Sequence, residues 1–140
     1  MTFDWAEFMK VASILAARHR GEVPASDDPT EEACQRTAIS RVYYAAFHKT
    51  CEFLTINCKR SDIRQGSNAH TVVPRVLKDS KDREQIKIGN KLDNLRVDRN
   101  KADYDHDIPN ARALTAKAIT SATNILQLLE SLKSKETSGL

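Results

Sequence analysis

The stretch NLRVDRNKADYDHD, residues 94–107, places Arg99, Asn100 and His106 within eight positions. These are the side chains of a nuclease-type site. An arginine binds a phosphate, an asparagine orients it, and a histidine exchanges protons near neutral pH. The same residues have a plainer use at a polar helix end. Arg99 can lie along the helix and pair with Asp103 at i+4, while His106 hydrogen-bonds near the helix C-terminus, where a cation is favoured.

Spacing does not separate these readings. Arg41 with His48 and Arg99 with His106 both lie seven positions apart, as chance supplies in a chain with four histidines. Facing is more informative. Ile88, Leu92, Leu95, Arg99, Ala102 and His106 follow one another by three or four residues. On a helix they fall in a strip roughly 80° wide, so Arg99 and His106 prolong an apolar stripe. A charge there needs a partner or a wet cleft. Arg41 and His48 instead share a face with Ala45, Cys51 and Glu52, opposite the Ile39/Val42/Ala46 stripe. That face reads as solvated. With Tyr44 alongside, it is also a candidate cleft or interface.

The elements that position these residues are helical. Trp5, Phe8, Met9, Ala12, Leu15 and Ala16 have helical spacing, with Asp4 and Glu7 at the favourable N-terminal end. RHRGEVPASDDP breaks the pattern. A longer helix is predicted from Pro29, with that proline in its first turn and a stripe of Ile39, Val42, Tyr43, Ala46, Phe47, Thr50, Phe53 and Leu54. NCKRSDIRQGSNA, with Gly66, reads as a loop. Val72, Val73, Val76 and Leu77 mark a short helix with Pro74 expected in its first turn. A further helix is predicted from about Asp82 to His106, ahead of Pro109. The last carries Leu114, Ala118, Ile119, Ala122, Ile125, Leu126, Leu129 and Leu132. Nothing alternates with period two. The expectation is an all-α, mainly antiparallel bundle of four to five helices in one domain, residues 1–136, with 137–140 as a frayed tail.

Composition narrows the function classes. A net charge of +3 permits contact with nucleic acid without arguing for it, and no segment carries the clustered polar side chains of a DNA-recognition helix. Cys34, Cys51 and Cys58 form no CxxC pair, which favours reduced thiols over disulfides. His48, Cys51 and Cys58 lack a fourth ligand and fit no usual zinc spacing, so neither a metal nor another cofactor is expected. No apolar run reaches the ~20 residues that span a bilayer, and MTFDWAEFMK is unlike a signal peptide. The expected location is the cytoplasm, with no membrane contact.

Two stretches resemble a known family when taken together. RTAISRVYYAAFHKTCEFL, followed about fifty residues later by LRVDRNKADYD, resembles the HEPN superfamily of small prokaryotic helical domains. The likeness is to the branch with an R-x-YYA-x-F helix and a later R-x-x-ADY segment. Here those residues are Arg41, Tyr43, Tyr44, Ala45 and Phe47, then Arg99, Ala102, Asp103 and Tyr104.

The resemblance spans roughly residues 30–130 and implies a HEPN-like helical bundle that forms a homodimer. It implies a metal-independent endoribonuclease, a toxin of a toxin–antitoxin module or an anti-phage effector, with RNA as substrate. Such a module often includes a nucleotidyltransferase-type antitoxin as partner. Arg99, Asn100 and His106 would be catalytic at a dimer cleft, with Asp103 and Tyr104 in support. The ribose 2′-OH would be the nucleophile, His106 the acid or base, and Arg99 the stabiliser of charge on phosphorus. The alternative is a non-catalytic HEPN module that binds a nucleotide or a partner protein. Tyr104 has two readings of its own: as in some toxin branches, the tyrosine modified by the antitoxin, or an amphipathic ring packed at the bundle edge.

Overall fold

Three of the α-helices begin where Thr30, Asp82 or Asn110 takes up free backbone N–H groups through its side chain, and most helix starts were legible. The structure, a computed structural model, describes residues 2–63 and 68–138. Helix α1 spans Glu7–Ala17, just after the Asp4 carboxylate accepts the Ala6 N–H at 3.0 Å. Helix α2 spans Glu31–Glu52 and is capped by Thr30, whose hydroxyl accepts the Ala33 N–H at 3.2 Å. Pro29 therefore lies outside α2, not in its first turn, because the extended Thr30 takes the capping position. A π-helical turn, Phe53–Asn57, continues α2.

Helix α3 spans Ala69–Lys78, and Pro74 is its sixth residue, well past the first turn. The Asn68 carbonyl accepts N–H groups from Thr71 and Val72, so the helix is already under way when the proline arrives. The lost bond is tolerated because Val73, Pro74 and Leu77 are buried against the next helix. Gly89 permits that approach: a Cβ there would sit 2.9 Å from the Pro74 carbonyl oxygen. The Gly66 part of the expected loop lies outside the described residues.

Helix α4 spans Arg83–Tyr104 and starts at Asp82, whose carboxylate accepts the Glu84 and Gln85 N–H groups. It stops before the expected end at His106, since Asp105 is extended at φ −77°, ψ 135°. Helix α5 spans Ala111–Ser138, two residues past the expected boundary at 136. No strand occurs among the described residues, and the protein is an all-α helical bundle.

Contacts between helix ends give the directions. Gln35 near the start of α2 donates to the Ala16 carbonyl at the end of α1, and Lys49 near the end of α2 reaches Asp4, so these helices are antiparallel. Arg36 reaches the end of α4, and Lys78 at the end of α3 pairs with Asp93, so α4 opposes both. Glu31 holds Arg112 and the Gln35 carbonyl accepts from Thr115, so α2 and α5 run parallel. The core joins Ile39, Val42, Phe53, Leu92, Leu95, Ile125 and Leu129, with Ala38, Ala46, Ala118 and Ala122 keeping the helices close.

Candidate functional site

Arg99 is where the two motif-bearing helices meet. Its guanidinium lies over the Tyr43 ring at 5.0 Å and the Tyr44 ring at 5.7 Å, both rings from α2. It also pairs with Asp103 one turn on, at 3.6 Å, with its side chain 12% exposed. Burial of the aliphatic stem is in keeping with the apolar stripe that Arg99 prolongs. The buried Nε has no hydrogen-bond partner, so one directed donor is left unused. Such a donor is costly to leave unmet.

A histidine from a third helix enters this cluster. The Tyr43 hydroxyl and His70 Nδ1 are 2.6 Å apart, and the His70 ring stacks on Phe47 with centroids 4.2 Å apart. Burial pushes the Tyr43 hydroxyl well above its ordinary pKa, against the pull of Arg99 and Arg96. Burial, then Arg99 and Arg96, hold the His70 imidazole below its ordinary value. Arg96 itself is neutralised at 2.8 Å by Asp93, which also holds Lys78. Those two cations keep the Asp93 carboxyl low.

His106 is elsewhere. It lies beyond the end of α4, exposed, and its backbone carbonyl accepts from Arg36 Nη2 at 3.0 Å. Arg36 Nη1 takes the carbonyls of Ala102 at 3.0 Å and Asp105 at 2.6 Å. One guanidinium from α2 thus ties off the C-terminus of α4 and turns the chain outward. His106 leaves the stripe that would have continued it beside Arg99. Among the described residues, no hydrogen bond or ion pair joins its imidazole to Arg99. Asn100 is half-buried next to Arg99, and Tyr104 is 74% exposed, so its ring is not packed at the bundle edge.

The surroundings of Arg41 and His48 overturn the solvated reading. Ala45 and Cys51 on that face are buried, and burial pushes the Cys51 thiol up to about 12. The chain ahead of α1 covers the face. Trp5 stacks on His48 with centroids 3.6 Å apart and planes 15° apart. Burial and the neighbouring His70 lower the His48 pKa, against a smaller pull from Glu52. Arg41 lies over Phe8 at 4.8 Å and over Tyr44 at 5.2 Å.

Sequence reasoning missed His70, Arg36 and Asp98. His70 sits at the mouth of a polar segment, and Arg36 is one of many charges near a helix start. Asp98 offered a signal, since it lies next to Arg99 and one turn past Leu95. It is 3% exposed and meets Lys117 of α5 at 3.4 Å. No protein-family model, curated protein or solved structure matches the chain.

Proposed function

We propose that the chain is a HEPN-type, metal-independent endoribonuclease, a toxin or anti-phage effector that works as a homodimer. One observation carries the reading: the two family-like motifs, far apart in sequence, meet at Arg99 on the Tyr43 and Tyr44 rings. Arg99 stabilises charge on the scissile phosphate, Asn100 orients it, and His106 moves the proton. Because His106 lies exposed past the end of α4, with no hydrogen bond or ion pair to Arg99 among the described residues, the proposed working pair is completed by His106 from a second copy. The cut leaves a 2′,3′-cyclic phosphate and a 5′-OH.

Purified protein incubated with total RNA in EDTA tests this. Cleavage should fall on the order of 10²–10⁴-fold in His106→Ala, and as steeply in Arg99→Ala. Equal cleavage by all three proteins, or none by the native one, rules the assignment out.

A second reading has its own observation. Arg99 is nearly enclosed and already paired with Asp103, as in an arginine that holds a bundle together. That favours a non-catalytic module docking a partner such as a nucleotidyltransferase. Expression in cells separates the two. Growth arrest relieved by His106→Ala supports the nuclease, while normal growth and a stable nucleotidyltransferase complex support the module.

A further inference from the structure

The charges around Tyr43 and Tyr44 do not balance. Arg18, Arg36, Arg60, Arg96 and Arg112 each have a carboxylate partner. Arg41, like Arg20, Arg75 and Arg83, has no ion pair within 4 Å among the described residues, but it is half-buried between the Phe8 and Tyr44 rings. Its polar contact is to the neighbouring Ser40 hydroxyl, at a long 3.4 Å. Arg99 shares the Tyr44 ring with it, keeps an unpartnered Nε, and has Asp103 as its carboxylate. Two guanidinium groups therefore lie 5.2 and 5.7 Å from one ring centroid, and only one of them has a carboxylate partner. Ring faces attract cations, but each contact is worth only about 0.5–2 kcal/mol and supplies no acceptor for the N–H groups.

We propose that Arg41, Arg99 and His70, set around the Tyr43–Tyr44 pair, form a binding site for a phosphate group. Beyond what Asp103 and the Tyr43 hydroxyl supply, a phosphate offers further acceptor oxygens and negative charge, which the planar guanidinium fork can bind bidentately. The inference goes beyond the ribonuclease reading, because it holds whether or not RNA is cut. It also gives binding a pH dependence. His70 faces Arg96 and Arg99 from α4, and Tyr43, Tyr44 and His48 from α2, with no carboxylate among them. A bound anion offsets the two arginines that oppose its protonation, so His70 takes up a proton as the ligand binds. Affinity for the phosphodiester strand, whose own charge does not change near neutral pH, then rises as the pH falls.

Three probes separate the sources of such a group: inorganic phosphate, uridine 5′-monophosphate, and a single-stranded 2′-O-methyl RNA decamer that cannot be cut through its 2′ position. Each is titrated by calorimetry into the native chain, Arg41→Gln, Arg41→Lys and His70→Gln, with thermal melts to confirm folding. Binding of the monophosphate points to a free nucleotide, and binding of the decamer alone points to a strand. Either supports the site, provided Arg41→Gln weakens it about tenfold, Arg41→Lys keeps part of the affinity, and His70→Gln flattens the pH dependence. Absence of binding by all three probes overturns the proposal. So does undiminished binding by a folded Arg41→Gln. A native chain that binds the decamer but cuts no RNA removes the ribonuclease reading and leaves this site standing. Cleavage with no loss of affinity in Arg41→Gln does the reverse.

Discussion

Arg41 with His48 and Arg99 with His106 have the same seven-residue spacing, and the fold treats them in opposite ways. Both members of the first pair stay on α2, and the segment carrying Trp5 and Phe8 closes over them. The second pair is divided by the end of α4, so Arg99 goes into an aromatic cluster and His106 goes to the surface. Facing arguments hold only while the helix continues. A face that looks polar in one segment can be covered by residues from a distant one.

The division of the second pair is open to direct attack. Leu95, one turn before Arg99 on the same stripe, is 1% exposed, and Leu95→Ala should cost about 2–5 kcal/mol in chemical denaturation. His106→Ala should stay within about 0.5 kcal/mol of the native chain, as an exposed side chain outside the helix should. A large loss in His106→Ala would place that residue back on the buried stripe. The RNA-cleavage comparison of the same variant is independent of this, because stability and chemistry report different roles.

Arg36→Ala should come next, with a loss of about 1–3 kcal/mol, since three carbonyls lose one charged donor. The effect should be local. Hydrogen exchange at the end of α4 and in the connection to α5 should quicken, while the α2/α5 core keeps its protection. Unchanged exchange there would mean that Arg36 does not set where α4 ends.

These variants also mark what the sequence could show. Periodicity gave the helices and most of the core, because each apolar stripe is a local property of one segment. Residues such as Leu92, Leu95, Ile125 and Leu129 are buried as their spacing requires. The end of α4 was not local. Arg36 reaches it from 66 to 70 residues away, whereas Pro109 nearby suggested a later stop. The cover over His48 was not local either, since Trp5 was legible as part of the α1 stripe but not as a stacking partner. The same holds for the cluster around Arg99: Tyr43 read as a core residue, and only tertiary packing brings His70 to its hydroxyl.

The smallest expected effect sharpens the first pair. His48 and His70 both have folded pKa values below the ordinary histidine value, burial being the first cause for each. The unfolded chain binds protons more readily at these groups near pH 6.5, so the stability they allow is present above that pH. It falls away as the pH drops through the folded values. Asp93, whose pKa is lowered by Lys78 and Arg96, loses its contribution only at much lower pH, near the ordinary carboxylate range and below. Melts between about pH 7.5 and 5 therefore report the histidines more than this carboxylate. Trp5→Ala should lower the melting temperature at pH 7.5 and at the same time flatten its decline towards pH 5. Removing the ring stacked on His48 lets water reach the imidazole and weakens the burial that keeps it neutral. A Trp5→Ala chain that melts lower but keeps the native pH slope would show that Phe47 and His70, not the covering segment, set the state of His48.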